Sequence, residues 1–234
     1  MIKYKSFLSK TILEGTEKTM SVNTIVVAGP PNAGKGTWLS DLKKMKGDEL
    51  RIIAVSALLR QEIEAGTELG LKAKEYMDAG QLCPDDVING MILNILENTT
   101  GTVILDGYPR TKVQAEAMLA AGIVPIMAIE VKLPDEVLVE RASDRIICTK
   151  CSESYTIVDP FKQPKVAGVC DLCGGELKQR SDDAPEKVRG RLADYREKTF
   201  PIFQVMEDAG IEVIYIDRTV DGAKDRFFEV MEQF

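Results

Sequence analysis

Residues 22–37 read Val-Asn-Thr-Ile-Val-Val-Ala-Gly-Pro-Pro-Asn-Ala-Gly-Lys-Gly-Thr, a short β-branched run that empties into a glycine loop ending in Lys35. A buried strand, a loop of backbone N–H groups and the start of a helix together cradle phosphate anions. Gly29 and Gly34 let the chain turn back without a Cβ in the way. Lys35 brings a mobile positive charge to the β- and γ-phosphates, and Thr37 places a hydroxyl near the expected Mg²⁺. Gly36 separates the lysine from the threonine, where the general phosphate-loop motif has them adjacent. A chance glycine-rich turn is the competing reading, and the preceding strand argues against it. The stretch points to nucleotide binding.

A second block, Asp106-Gly107-Tyr108-Pro109-Arg110, ends another β-branched run. A carboxylate at a strand end facing a phosphate loop suits a Mg²⁺ ion and its waters. Arg110 can clamp a phosphate with its planar fork. Gln114, one helical turn further, has the donor and acceptor needed to read an adenine edge. Arg141 and Arg145 lie four apart in a segment whose pattern predicts one helix over 134–147, so both guanidinium groups are expected on one face. Arg180-Ser181-Asp182-Asp183 and Arg191 follow a cysteine block. Taken singly these are solvated surface arginines. Flanking both ends of an insert, they suggest a lid that carries positive charge onto transferring phosphates. Asp182 and Asp183 are expected to orient the arginines and cap the next helix rather than act as bases, because a phosphate acceptor is already an anion.

Four of the five cysteines form two Cys-x-x-Cys pairs, Cys148 with Cys151 and Cys170 with Cys173, separated by 18 residues; Cys83 stands alone. Two disulfides are possible, yet the spacing matches a four-thiolate zinc site and no secretory signal is evident. There is no histidine, which removes the commonest general acid–base group. Phosphoryl transfer tolerates that absence, since positioning and electrostatics supply most of its catalysis.

A chain of 234 residues can bury one good core with one or two small inserted lobes. Hydrophobic content of 44% and charged content of 29% fit a soluble globular chain, and no apolar run approaches the roughly 20 residues of a membrane span. The net charge of −7 argues against generic nucleic-acid binding. Residues 1–20 are lysine-rich, but Glu14, Glu17 and the lack of arginine oppose a mitochondrial targeting segment, leaving a surface tail or an upstream start codon. Strands are predicted at 23–28, 51–55, 102–106, 124–131 and 211–216, with helices at 111–121, 134–147 and 221–232 and from Pro185. Four further helices are expected, one beginning near Lys35, one running through Ala65, one capped by Thr67 and ending near Met77, and one opened by Pro84, the last packing Val87, Met91 and Ile95 into the core. Strand–helix alternation with near-continuous apolar strands means an α/β fold with a parallel sheet covered on both faces, and ligands beyond its carboxyl ends.

These motifs, in this order, resemble those of the adenylate kinases, nucleoside monophosphate kinases of the long-lid, zinc-bearing form. The resemblance runs from about residue 22 to 232 and rests on the glycine loop, Met77-Asp-Ala-Gly-Gln-Leu-Cys-Pro-Asp85, Asp106–Arg110 with Gln114, the arginines and the four cysteines. It implies a P-loop kinase fold with a five-stranded parallel sheet. Its implied core is 21–50, 83–143 and 179–234, with an N-terminal extension at 1–20, an inserted monophosphate lobe at 51–82 and a zinc lid at 144–178. ATP would sit on Gly29, Asn32, Ala33, Gly34, Lys35, Gly36 and Thr37 with Arg141 and Arg145. AMP would meet Val55, Ser56, Arg60, Leu82, Gly107, Arg110, Gln114, Arg180 and Arg191. Lys35, Arg110, Arg141, Arg145, Arg180 and Arg191 would surround the transferring phosphoryl group. Thr37 and Asp106 would be associated with Mg²⁺, and the four lid cysteines would hold structural Zn²⁺. The implied reaction is ATP + AMP ⇌ 2 ADP, run by a cytoplasmic monomer without nucleic-acid or membrane partners.

Four departures from the family pattern stand out. Ala54-Val55-Ser56-Ala57 replaces Ser-Thr-Gly-Asp, Asn32 a loop glycine, Trp38 a common glutamine, and Asp144 a glycine between the two lid arginines. They leave open a kinase for another monophosphate such as UMP or CMP. A zinc-ribbon nucleotide sensor without turnover is the reading from another class.

Overall fold

The computed structural model describes residues 22–47, 50–79, 81–151, 153–158, 162–179 and 183–234. The expected extension at 1–20, together with Gly80, Arg180, Ser181 and Asp182, lies outside the described residues.

Five parallel strands form the central sheet: β1 (Val22–Ala28), β2 (Arg51–Ala54), β3 (Gly101–Asp106), β4 (Met127–Lys132) and a late strand (Glu212–Asp217) that is β8 in chain order. Their spatial order is β2-β3-β1-β4-β8. Consecutive residues of β1 face opposite sides of the sheet, and Ile25, Val26 and Val27 are all fully buried. Val26 packs in one core with Leu105, Met118 and Phe203, while Ile25 and Val27 pack in the other with Trp38, Leu138 and Phe227. Two cores on two faces is why the strands read as continuous apolar runs. In register, Val27 pairs with Asp106 and Ala54 with the same Asp106, so the carboxyl ends of three strands finish together. The chain runs from β1 to the β2–β3 side and returns to the opposite side for β4, placing a crevice at the end of β1.

Helices α1 (Lys35–Lys46), α2 (Val55–Glu64), α3 (Glu68–Asp78), α4 (Asp85–Glu97), α5 (Lys112–Ala120) and α6 (Asp135–Ser143) follow in chain order. Thr67 caps α3, its side chain accepting from the Gly70 N–H. The buried stripe of α4 is Ile88, Ile92 and Leu96; of the predicted Val87, Met91 and Ile95, the last two pack partly buried against the same core. Adjacent positions of this apolar helix offer two near-equivalent rows, and the expectation chose the flanking one. β4 begins at Met127 because Val124 and Ile126 stay exposed, and β2 ends at Ala54, with Val55 already opening α2.

The larger correction concerns 144–147. The predicted helix stops at Ser143, and Arg145–Cys148 is strand β5. It pairs antiparallel with β6 (Ser154–Thr156) and β7 (Leu177–Lys178) in a separate three-stranded sheet. The β-branched pair Ile146-Ile147 favours extended backbone once partner strands are present. Arg141 and Arg145 therefore do not share a helix face. After the insert come α7 (Pro185–Asp194), a π-helical turn (Tyr195–Thr199), α8 (Pro201–Asp208) and, beyond β8, α9 (Ala223–Met231). Pro185 takes the first position of α7, as expected, but the N-cap is Ala184 with no side-chain bond, so Asp183 does not cap this helix.

Candidate nucleotide and phosphoryl-transfer site

The loop 29–34 joins β1 to α1. Gly29 has φ +152°, and a Cβ there would sit 2.4 Å from the Val131 carbonyl oxygen, so the loop lies tight against β4. Asn32 holds φ +66°, the left-handed region that asparagine tolerates better than most residues, which explains how it stands in a glycine's place. Gly34 at the N-cap supplies no side-chain cap, and the first turn of α1 carries no acid. The leading N–H groups of α1 and its dipole are thus left to an external anion. Lys35 folds back over the loop, its Nζ donating to Gly29 O at 2.6 Å and Pro30 O at 3.1 Å, which leaves its third proton for a ligand. Burial draws this ammonium down to about 8; Asp106 and Glu130 oppose that shift, and Arg110 and Arg191 reinforce it.

A cavity opens at the end of β1, lined by Gly29, Lys35, Asp106, Arg110, Arg191 and Tyr195 among others. A smaller one adjoins it, lined by Val55, Leu59, Cys83, Ile88 and Gln114, with Ser56, Leu82, Gly107 and Arg110 shared by both. One space gathers cations and two carboxylates, Asp106 and Asp194, and the next is mostly apolar with two amides, Gln81 and Gln114, beside Ser56 and Arg110. That is the arrangement expected for a phosphate-transfer chamber beside a base pocket.

A family model described as adenylate kinase matches residues 27–211. The adenylate kinase of Methanosarcina mazei is 46% identical over 208 residues, covering 86% of this chain and 92% of that protein. That of Rhizorhabdus wittichii is 44% identical over 208 residues, covering 86% and 93%. That of Symbiobacterium thermophilum is 44% identical over 204 residues, covering 85% and 90%. The chain belongs to the adenylate kinase family.

Its candidate arginines fall at four places among the described residues. Arg110 and Arg191 line the larger cavity. Arg145, at the start of β5, makes a two-point ion pair with the buried Asp183, and Arg191 Nη1 approaches the same carboxylate at 3.8 Å. Arg60 lies on α2, its Nη2 3.4 Å from Ser56 Oγ, outside the residues lining either cavity. Arg141 lies over the phosphate loop, its Nη2 3.1 Å from where a Gly34 Cβ would be. Arg180 lies outside the described residues. Thr37 sits in the first turn of α1, and Ala33 is buried in the core beneath the loop.

The structure adds residues that sequence reasoning missed. Arg218 follows β8, donates to the Ala33 carbonyl and stacks 4.4 Å over the Trp38 ring. Trp38 is 3% exposed and also packs against Phe227 at 5.2 Å, so the ring that departs from the family pattern fills the core between α1 and α9. A cation directly after a parallel strand was the available signal for Arg218. Tyr195, in the π-helical turn, donates to the buried Glu130 at 2.6 Å and borders the larger cavity. Its spacing of four from Arg191 was the signal there.

The four insert cysteines converge as a possible metal centre, their sulfurs all within 4.8 Å of one another. Cys148 and Cys173 sulfurs are 3.4 Å apart, and those of Cys151 and Cys170 are 3.5 Å apart. A tetrahedral four-sulfur zinc shell spaces its sulfurs by about 3.8 Å, so the donor set fits. Backbone N–H groups of Lys150 and Cys151 donate to Cys148 Sγ, and the Tyr155 hydroxyl lies 3.5 Å from Cys170 Sγ. Such contacts orient thiolates for a metal.

Proposed function

We propose that this protein catalyses the reversible transfer of the ATP γ-phosphoryl group to AMP, giving two ADP. The single observation that carries the reading is the cavity in which Lys35, Asp106, Arg110 and Arg191 meet beside the pocket bordered by Gln114. The anhydride broken and the anhydride formed are alike in kind, so no strong base is called for. The loop N–H groups and Lys35 bind the donor β- and γ-phosphates. Arg110 and Arg191 hold the acceptor phosphate in line and, with Arg141 and Arg145, take up charge that spreads over the equatorial oxygens. Asp106 and Thr37 would hold Mg²⁺ with its waters, and the ion would supply charge neutralisation to the transferring phosphoryl group.

In the same reading, 51–82 forms the acceptor lobe around Val55, Ser56, Arg60 and Leu82, and 144–178 forms the lid, with 21–50, 83–143 and 179–234 as the core. Closing the lid excludes water that would otherwise hydrolyse ATP. A closed four-thiolate shell has no open position, so zinc at Cys148, Cys151, Cys170 and Cys173 is assigned a structural role. The acidic balance supports a monomer acting on free nucleotides rather than nucleic acid, and among the described residues no helix is long and apolar enough to cross a membrane.

A coupled assay of ADP formation with ATP and Mg²⁺, run against AMP, GMP, UMP, CMP and no acceptor, tests the proposal. Turnover selective for AMP is expected. Preference for UMP or CMP would reassign the acceptor, and binding without turnover would overturn the enzyme reading.

A further inference from the structure

We propose that Asp85 is a positioning residue that fixes which way round the Gln114 amide points, and thereby makes the acceptor pocket select a 6-amino purine over a 6-oxo purine. The inference deepens the functional reading above and rests on it for the site. Gln114 is 2% exposed and borders the smaller cavity. Its Oε1 accepts the Arg110 backbone N–H at 2.7 Å, and its Nε2 donates to Asp85 Oδ1 at 2.8 Å. A backbone N–H can only donate and a carboxylate can only accept, so these two partners leave a single orientation for the amide. The reversed amide would set Nε2 against the N–H and Oε1 against the carboxylate.

Asp85 is itself held. The Thr111 hydroxyl donates to the same Oδ1 at 3.0 Å while accepting the Gln114 backbone N–H at 3.1 Å. Asp85 opens α4 and Thr111 caps α5, so the network joins two helix N-termini, and the residues it links are 26 and 29 apart in sequence. Among the described residues, each end of the Gln114 amide keeps one unused function, a second N–H on Nε2 and a second lone pair on Oε1. Side by side, a donor and an acceptor complement N1 and the 6-amino group of adenine. They oppose the N1–H and 6-oxo group of hypoxanthine or guanine. Sites built to hydrogen-bond a base edge discriminate more sharply than apolar pockets do, because a wrong edge leaves buried groups unpaired.

The test compares wild type, Asp85→Ala and Asp85→Asn, with AMP and IMP as acceptors, following kcat, KM and equilibrium binding of each monophosphate. Asp85→Ala frees the amide to rotate: KM for AMP rises about tenfold, kcat and KM for ATP stay within about twofold, and the IMP-to-AMP ratio of kcat/KM rises about tenfold. Asp85→Asn keeps an acceptor oxygen in place and retains the AMP preference. An unchanged IMP-to-AMP ratio in a folded Asp85→Ala protein overturns the proposal. So does equal loss in both variants, which would make the charge, not the acceptor geometry, the operative feature. Absence of AMP turnover in the wild type would count against the functional reading alone, since the AMP-to-IMP binding ratio still reports the amide; wild-type binding of neither nucleotide would overturn both.

Discussion

Arg145 and Asp183, 38 residues apart, clasp the two ends of the cysteine-bearing insert: Nε meets Oδ2 at 2.9 Å and Nη2 meets Oδ1 at 2.6 Å. Asp183 is fully buried, whereas Arg145 and Arg191 keep about a fifth of their side chains exposed (21% and 23%). One carboxylate thus orients two arginines of the proposed transfer site. Asp183→Ala should leave both guanidinium groups facing each other without their shared anion. Removing one partner of a buried pair costs about 3–5 kcal/mol, and the partial exposure of the arginines brings this to about 2–3 kcal/mol. For a chain of this size that lowers Tm by roughly 4–12 °C. Calorimetry checks the shift, and steady-state kinetics should show kcat reduced at least about tenfold as the arginines lose their aim. Full kcat in the variant would mean that the arginines are oriented by something else.

Lys35 supplies a prediction about pH. Its ammonium, drawn down to about 8 chiefly by burial, loses its proton as pH rises through that value in the ligand-free enzyme. The profile of kcat/KM for ATP should therefore fall above about pH 8 along a single ionisation. Nucleotide phosphates favour the charged form, so ATP binding at pH 8.5 should take up protons, read as a buffer-dependent enthalpy in calorimetry. For stability the sign is the reverse. The unfolded lysine titrates near 10.5, so between about 8 and 10.5 the unfolded chain holds more protons and this group makes the fold more stable as pH rises. Lys35→Met should abolish the ATP-linked proton uptake and cut kcat/KM about a hundredfold or more while the fold persists. Proton uptake surviving in Lys35→Met would assign it to another group.

Much of this was legible in the sequence, and the reason differs from feature to feature. The phosphate loop is a local signal: strand, turn and helix start are contiguous, and each residue's role follows from its neighbours. The parallel sheet is legible because strands buried on both faces, like Ile25-Val26-Val27, leave no polar alternation. Strand β5 was not, because Arg141–Ile147 has helical spacing by itself. Only pairing with Ser154–Thr156 and with Leu177–Lys178, about thirty residues on, makes it extended. The same holds for the side-chain pairs that set the site. Arg218 reaches Ala33 across 185 residues, and Asp85 reaches Gln114 across 29. Local signals mark some of these residues singly, but not the pairings, which tertiary packing alone brings together.

The insert cannot be held by its own apolar core, and that yields a metal prediction. Among its described residues Cys148, Tyr155, Cys170 and Leu177 are buried, with Ile146 and Cys173 partly buried against them, so it has three apolar side chains besides thiols. Metal ligation supplies about 10 kcal/mol or more in small zinc modules, more than these few apolar side chains contribute. Elemental analysis should find one zinc per chain. Chelation should lower Tm and increase proteolysis within 145–178 before the sheet of β1–β4 and β8 opens. Cys170→Ser should reproduce the chelated behaviour. An unchanged melt after demonstrated metal removal would show that the insert folds without it.

Trp38 and Arg218 form a reporter for the donor side. Trp38 is the single tryptophan of the chain, and the guanidinium of Arg218 sits 4.4 Å from its ring centre while donating to the loop carbonyl of Ala33. Burial and the neighbouring charge of Arg141 pull the Arg218 guanidinium down to about 10, so two cations converge over the phosphate loop with their charges opposed. A polyphosphate arriving there relieves that repulsion, whereas AMP in the acceptor pocket does not reach it. ATP should therefore change the Trp38 emission and AMP alone should leave it nearly constant. Arg218→Ala should raise KM for ATP about tenfold, about 1.4 kcal/mol, with KM for AMP unaltered. The Tm gained from saturating ATP should shrink in step, because that gain follows the ratio of ligand concentration to Kd. Arg218→Lys keeps the charge but not the planar fork and should fall between the two. Equal weakening of ATP and AMP in Arg218→Ala would mean that the arginine supports the fold as a whole rather than the donor phosphates.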